Sequence, residues 1–502
     1  MNTIHFINKY TRIATFVLSI TLLTSCNKWL DVNPSTRIKE DELFSEQQGY
    51  VDALFGTYQK LTSDNAYGRL GTYGFVDVLG QLYENKSTQA STYYGETARY
   101  NYTSASVNNQ QNVRASIDSI WTNYYSAISQ ANLILKNVDS RDVLKGNSYK
   151  IIKGEALALR AFIHFDLLRL FAPAYLGGTN ASATAIPYVE QFTVSPTAKI
   201  TVEEVLVKIE RDLKEAESLL EAHKTIDQIA TNQGSTSLDL FLMYRQNHLN
   251  YWAAKAVLAR LYLYKGDKTN ALKYATEVIN SKLFYFVNPG TLSVDPTVDA
   301  SDLTFSSEHI FSLNVSGLKK LADAYFKTES TSGAEATDLF STAAKLNTLY
   351  ETTLTGYGTD IRSIVASKSL WNQFSTAVVF TKKYYSDKTT NVKQRLIPII
   401  RLPEMYYIAA EASNTISEGL AYLNVVRQAR LIPELSATNI NTTALFDAEV
   451  QKEYRKEFYG EGQIWYYFKR KNVTTIPDGV GNPMTATKYT FPLPFNELQF
   501  GL

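Results

Sequence analysis

Residues 250–281, NYWAAKAVLARLYLYKGDKTNALKYATEVINS, carry a clear helical pattern. Small and apolar residues recur at three- and four-residue steps on both sides of Lys265-Gly266-Asp267. This periodicity predicts two amphipathic helices, and the Gly-Asp pair predicts the tight turn between them. Small residues that face small residues allow two antiparallel helices to pack closely. The stretch therefore predicts a helix–turn–helix unit.

Looser helical pairs are predicted on both sides of this unit. Residues 401–412 and 416–431 form one pair, and residues 121–138 with the longer helix at 151–172 form another. Thr201-Val202-Glu203-Glu204 is a capping box that begins a further amphipathic helix. Paired helices with a period of about 34 residues are typical of tetratricopeptide repeats. Since the period is not strict here, the sequence predicts an all-α, degenerate tetratricopeptide-like helical-repeat scaffold.

Two long segments break the helical pattern. Residues 65–109 are rich in Tyr, Gly, Ser, Thr and Asn, and residues 284–394 alternate short apolar runs with Pro, Gly and Asp. Long irregular segments in compact domains are usually either functional or disordered. The high tyrosine content of the first segment argues against disorder. We expect these irregular loop segments to form the ligand side of the molecule.

Composition excludes several classes of protein. The chain has 502 residues with 45% hydrophobic and 20% charged side chains, which is ordinary for a globular protein and argues against wholesale disorder or a polytopic membrane protein. Its formal net charge of +1 supplies no basic excess for nucleic-acid phosphates. A single cysteine cannot form an intramolecular disulfide or a cysteine-based zinc site.

The first 26 residues have the layout of a secretory signal. Lys9 and Arg12 precede an apolar run at residues 13–23, which is too short to cross a bilayer. Small residues then precede the lone Cys26, as in a bacterial lipobox. We expect a lipoprotein signal peptide at residues 1–25, lipidation of Cys26 and a polar tether at residues 26–39. The alternative is an ordinary signal with an incidental cysteine.

Several stretches resemble the SusD/RagB family of surface lipoproteins from Bacteroidetes nutrient-uptake systems. The most specific is EALALRAFIHFDLLRLF at residues 155–171, and the opening CNKWLDVNP at residues 26–34 is also similar. Residues 121–132, residues 401–412 and the closing FPLP at residues 491–494 fit the same family. The resemblance covers essentially all of the chain after residue 25.

This resemblance implies a function as well as a fold. SusD-like proteins are non-catalytic binders that form a hinged lid on a TonB-dependent β-barrel transporter in the outer membrane. Members capture oligosaccharides, and some capture peptides. The family scaffold has four degenerate tetratricopeptide-like units. The resemblance thus implies one SusD-like domain at residues 40–502, with an N-terminal part at about 40–285 and a C-terminal part at about 286–502, on a lipid-anchored protein that faces the cell exterior.

Exposed aromatic rings are the expected ligand contacts, because a sugar has apolar C–H faces ringed by hydroxyls. The candidates come from the two irregular segments, in which tyrosines are interleaved with amides and charged side chains. They are Tyr83, Tyr93, Tyr94, Tyr100, Tyr102, Tyr325, Tyr357 and Trp371. The alternative for each is that the ring pins its loop onto the helices.

The residues give little support to catalysis or to a bound metal. Arg160, His164, Asp166 and Arg169 share one long helix, and structural pairing is the preferred interpretation of these charges. No pair of histidines has metal-ligand spacing. There is no phosphate-binding loop and no Gly-x-Ser-x-Gly elbow. We therefore expect neither an enzyme nor a cofactor, while a calcium site built from Asp and backbone oxygens stays open.

Three alternatives to an oligosaccharide binder stay open. They are a peptide-capturing binder, a helical-repeat lipoprotein that serves as an assembly scaffold, and a helical-toroid glycosidase or lyase. Product formation from a glycan would favour the enzyme. A protein partner without any small-ligand response would favour the scaffold.

Overall fold

The structure, a computed structural model, describes residues 39–84, 93–103, 113–140, 142–224, 241, 245–326, 337–385 and 390–502. Cys26, the signal at residues 1–25 and all of the tether except Lys39 lie outside the described residues.

Helices make up most of the regular structure in this part of the chain. They are α1 (Glu40–Leu43), α2 (Gln47–Leu61), α3 (Phe75–Leu79), α4 (Gly95–Ala98), α5 (Val113–Val138), α6 (Gly146–Phe171), α7 (Val202–Leu220), α8 (Tyr251–Lys265), α9 (Lys268–Asn280), α10 (Leu318–Phe326), α11 (Ala343–Leu349), α12 (Leu402–Ala412), α13 (Ile416–Ala429), α14 (Thr443–Glu457), α15 (Ile464–Arg470) and α16 (Phe495–Phe500).

The long helices pack on one another in a chain-like order. Helix α2 packs against α5, and contacts then follow in sequence order from α5 through α6, α7 and α8 to α9. After the second irregular segment, α9 packs against α12, and α12 packs against α13. Each helix contacts mainly its neighbours, as expected of a solenoid of helical pairs. This arrangement confirms the all-α helical-repeat scaffold.

The helix–turn–helix at residues 250–281 forms as predicted. The Asn250 side chain accepts hydrogen bonds from the backbone N–H groups of Trp252 and Ala253 at 3.1 and 3.0 Å, which begins α8. Gly266 ends that helix with a φ of +80°, a conformation that glycine adopts without strain. Asp267 then accepts from the N–H of Asn270 at 3.0 Å and begins α9.

Helix α6 is the most buried long helix of the scaffold. It was predicted at residues 151–172 and spans Gly146–Phe171, ending just before Pro173. Every residue from Gly154 to Phe171 is buried, so the helix packs on all faces. Beside it, the predicted capping box of α7 is present: Thr201 accepts from the N–H of Glu204, and the Glu204 carboxylate accepts from the N–H of Thr201.

Short strands lie between the helical pairs, and the sequence pattern did not reveal them. Three two-stranded antiparallel sheets pair β1 (Thr184–Pro187) with β2 (Lys199–Thr201), β3 (His309–Asn314) with β6 (Leu396–Arg401), and β4 (Trp371–Gln373) with β5 (Val379–Thr381). The β3–β6 pair places β3, from the first third of the second irregular segment, beside β6, which directly follows that segment.

A buried network of charges joins the C-terminal elements. The Glu457 carboxylate accepts hydrogen bonds from Arg362 at 2.8 Å, from Arg401 at 2.7 Å and from Arg430 at 2.7 Å. Burial alone would raise the pKa of Glu457, but these three guanidinium groups hold it well below its usual value. Further buried partners of the same arginines are Glu308, Asp360, Glu453 and Glu461.

Candidate functional site

Aromatic side chains from the two irregular segments meet at one place. Tyr93 and Tyr94 come from the first segment, and Tyr325 lies in the last turn of α10 in the second. The ring centroids of Tyr93 and Tyr94 are 4.8 Å apart, and those of Tyr93 and Tyr325 are 6.1 Å apart. We call these three residues the tyrosine cluster. The structure thus brings together three of the eight aromatic residues that the sequence nominated.

Arg69 contacts two residues of the tyrosine cluster, Tyr94 and Tyr325, from the buried side. Its guanidinium donates to both oxygens of Asp64 at 2.7 and 2.6 Å, and to the Tyr94 hydroxyl at 2.9 Å. The guanidinium carbon also lies 5.1 Å from the centroid of the Tyr325 ring, a cation–π distance. Composition did not single out Arg69 or Asp64. The signal that could have found them is a carboxylate five residues before an arginine at the edge of a tyrosine-rich segment.

The tyrosine cluster has a buried side and an exposed side. Tyr94 is 1% exposed and Arg69 is 5% exposed, whereas Tyr93, Tyr325 and Asp64 remain partly exposed. Burial raises the pKa of Tyr94 and of Tyr325, so both phenols stay neutral at physiological pH. The exposed side therefore offers two partly exposed aromatic rings beside a partly exposed carboxylate. Such a surface can stack on the C–H face of a sugar and accept hydrogen bonds from its hydroxyls.

Four other candidates are buried, and their polar atoms bond to the main chain. The Tyr83 hydroxyl donates to the carbonyl of Tyr73 at 2.8 Å, and the Trp371 indole N–H donates to that of Arg362 at 2.7 Å. Tyr100 and Tyr102 bond in the same way, to the carbonyls of Leu79 and Lys488. These four rings pin their segments onto the core. In this structure they present no face to a ligand.

Tyr357 lies apart from the tyrosine cluster. Its hydroxyl accepts a hydrogen bond from Arg427 at 2.7 Å, and Lys456 lies 5.1 Å from its ring centroid. Both cations belong to the buried charge network, through Glu453. Tyr357 is partly exposed, so its contact with a ligand stays a prediction. A ligand bound there would lie on a different surface from one bound at the tyrosine cluster.

The charged residues of α6 are paired within the core. Arg160 donates to Asp212 at 2.6 Å, and Asp166 accepts from the Tyr67 hydroxyl at 2.6 Å while it pairs with Arg169. His164 Nε2 accepts from the N–H of Val189 at 3.0 Å, so its Nδ1 carries the proton and donates to the carbonyl of Arg160 at 2.8 Å. These contacts agree with structural pairing.

The described residues contain neither a cluster of metal-ligating side chains nor a membrane-spanning helix. No group of three or more His, Cys, Asp or Glu side chains in this part of the chain is arranged to hold a metal ion. None of the described helices combines the length and the apolar character that a membrane crossing requires.

Comparison with known proteins gives the same family over most of the chain. The family model described as "Starch-binding associating with outer membrane" matches residues 28–263, and the SusD family model matches residues 314–498. The SusD-like protein P38 of Formosa agariphila is 23% identical over 96% of this chain and 95% of its own length.

Solved structures share the fold. A structure from Bacteroides vulgatus ATCC 8482 is 25% identical with a TM-score of 0.66, covering 91% of this chain and 97% of its own. A laminarin-binding SusD-like protein is 17% identical with a TM-score of 0.60, covering 91% of this chain and 98% of its own. The chain belongs to the SusD/RagB family.

Proposed function

We propose that this protein binds an oligosaccharide at the tyrosine cluster and delivers it to a TonB-dependent transporter in the outer membrane, where a lipid on Cys26 anchors it. One observation carries the proposal: Tyr93 and Tyr325, far apart in the sequence, meet as partly exposed rings, and the buried Arg69 lies against the Tyr325 ring. The match to a starch-binding family model and the shared fold with a laminarin-binding protein support a saccharide ligand.

The tyrosine cluster is suited to binding rather than to turnover. Arg69 is fixed by Asp64 and Tyr94, so the rings above it are already in place before a ligand arrives. Preorganisation of this kind lowers the entropy cost of binding. Hydrolysis of a glycoside needs two carboxyl groups at a defined separation. The tyrosine cluster contains no carboxyl group, and Asp64 beside it is already bonded to Arg69 through both oxygens.

A thermal-shift screen of the mature chain, purified without its lipid, tests the proposal. The panel contains neutral glucans, xylans, mannans and unstructured peptides. A ligand at about 100 times its dissociation constant stabilises the native state by about 2.7 kcal/mol. For a chain of this length we expect a shift of about 2.5 °C. A shift with one glycan class without product on chromatography supports the proposal, and a shift with peptides alone contradicts the saccharide ligand.

Variants connect a positive result to the tyrosine cluster. We expect Tyr93→Ala to halve this site's contribution to the glycan-induced shift, because tenfold weaker binding lowers the stabilisation from about 2.7 to about 1.4 kcal/mol at the same ligand concentration. The unliganded melting temperature should stay within about 1 °C of wild type. The matched control is Tyr285→Ala, because Tyr285 is a 60% exposed tyrosine in another part of the chain. Equal shifts for wild type and Tyr93→Ala would remove the tyrosine cluster from the binding site.

A further inference from the structure

A cleft lies along one face of α2. It has a volume of about 960 Å³, within the range of small-molecule sites. Its walls come from α2, from the turn before α8, from the end of β3 and from residues 390–395. No residue of the tyrosine cluster lines it, and neither does Arg69 or Asp64. We call it the α2 cleft.

The α2 cleft has an aromatic floor. Phe55 is 45% exposed, and its ring meets that of His248 edge-on with centroids 5.8 Å apart. The partly exposed Tyr58 ring lies 4.6 Å from the same imidazole. A row of three rings gives the cleft apolar faces of the size that sugar rings stack on.

Buried groups fix this floor from behind. The Tyr58 hydroxyl donates to the Glu155 carboxylate at 2.9 Å and accepts from the N–H of Leu249 at 2.9 Å. His248 Nδ1 lies 3.2 Å from the same carboxylate. Burial lowers the pKa of His248 well below its usual value, so the ring is neutral and its Nδ1–H donates to Glu155. Two of the three floor rings are therefore held in place without a ligand.

The rim of the α2 cleft carries polar side chains that are not engaged elsewhere. Gln59, Asn314, Ser316 and Arg395 line the cleft, and none of their side chains hydrogen-bonds to another described residue. The Arg395 Nε is buried without an acceptor, and no carboxylate of the described residues pairs with this guanidinium. Amides, a hydroxyl and an unpaired guanidinium are the groups that bind sugar hydroxyls.

We propose that the α2 cleft is a second saccharide-binding site. Phe55 and Tyr58 stack on the ring faces, and Gln59, Asn314 and Arg395 bond the hydroxyls. The inference takes only the ligand class from the proposed function, because the residues of the two sites are entirely different. Phe55 of the α2 cleft lies six residues before the last residue of α2, which is about 9 Å along the helix axis. Asp64, beside the tyrosine cluster, comes three residues after that helix ends.

Titration calorimetry with short probes separates the two sites. The probes are laminaritriose, maltotriose and xylotriose. For the trisaccharide that binds, wild type should take up two molecules, and the Tyr93→Ala/Tyr325→Ala variant should take up one. In that variant, the added change Phe55→Ala should weaken the remaining binding at least tenfold. The added change Phe374→Ala is the control, since Phe374 is 51% exposed outside the cleft.

The outcomes distinguish failure of this inference from failure of the proposed function. Binding that is abolished by Tyr93→Ala/Tyr325→Ala and unaffected by Phe55→Ala overturns the α2 cleft and leaves the first site standing. Binding that is abolished by Phe55→Ala alone supports the cleft and removes the tyrosine cluster. No heat with any of the three probes overturns the cleft as a saccharide site. A second pair of variants, Gln59→Ala and Asn314→Ala, should each weaken binding severalfold if the rim acts as proposed.

Discussion

At the scale of single residues, His164 shows how a buried side chain is tied to one protonation state. Its Nε2 must accept from the N–H of Val189, so a second proton would place two donors face to face. Burial is the main cause that lowers the pKa of His164 to about 3. The native state therefore holds this imidazole neutral throughout the range in which an unfolded histidine becomes charged.

This predicts an acid-dependent loss of stability. Between pH 6.5 and pH 3 the unfolded chain binds a proton at His164 that the native state does not, so stability falls as the pH falls. From pH 7 to pH 5 this one group should cost about 2 kcal/mol. Urea unfolding of wild type and His164→Gln at both pH values measures it, because glutamine can donate and accept without titrating.

Comparison of the two proteins removes the contributions of other groups. Burial raises the pKa of Asp77 to about 7, which acts in the opposite direction over the same range, and burial lowers the pKa of His309 to about 4. Both residues are present in wild type and variant. Unfolding free energies that decrease in parallel for the two proteins between pH 7 and pH 5 would contradict the role assigned to His164.

The sequence could nominate aromatic residues for the candidate site, but it could not show which of them are exposed. Tyrosine content directed attention to residues 65–109, and the structure brings Tyr93 and Tyr94 of that segment to Tyr325. Exposure depends on packing between segments that are distant in the sequence. Tyr83 is an example: it is buried because its ring packs edge-on against Tyr459, at 5.2 Å between centroids. No local pattern marks that contact.

At the scale of elements, hydrogen bonds join α3, in the N-terminal part of the chain, to the turn that follows α14 in the C-terminal part. The Asp77 carboxylate of α3 accepts hydrogen bonds from the N–H groups of Gly460 and Gly462 at 3.0 and 2.8 Å. Gly462 has a φ of +71°, and a Cβ there would lie 2.8 Å from the carbonyl oxygen of Thr72. Only glycine fits this close approach.

We expect Gly462→Ala to destabilise the protein by about 2–4 kcal/mol, because it adds backbone strain and a clash with the main chain at Thr72. Denaturant unfolding measures the change. Gly317→Ala is the matched control: Gly317 is exposed and a Cβ there meets nothing within 4 Å, so the change should be below about 0.5 kcal/mol. Equal losses for both variants would contradict the close approach.

Helices were predictable and the strands were not, for a physical reason. Helix α8 carries its own signals, since Asn250 caps its start and Gly266 caps its end. Strands β3 and β6 are buried along nearly their whole length, so they show no alternation of apolar and polar residues. Their pairing also joins residues about 90 positions apart in the sequence, and a local sequence pattern cannot predict such a distant pairing.

At the scale of the whole molecule, the buried charge network holds the C-terminal part together. Glu457 at the end of α14 bonds Arg401 at the end of β6 and Arg430 just after α13. We expect Glu457→Gln to cost about 3–5 kcal/mol of unfolding free energy, because three buried guanidinium groups lose their shared carboxylate. The exposed Glu46→Gln should change it by less than about 0.5 kcal/mol. Indistinguishable unfolding curves for the two variants would refute the structural role of the network.

The central claim is that the chain binds a saccharide through the tyrosine cluster. Its most direct test is calorimetric titration of wild type and Tyr93→Ala/Tyr325→Ala with the glycan that gives the largest thermal shift. Loss of each stacked ring should weaken binding about tenfold, and loss of both about a hundredfold, or about 2.7 kcal/mol. A reduction of that size at the first site, with an unchanged circular dichroism spectrum, is the predicted result. An affinity and stoichiometry equal to those of wild type would contradict the account.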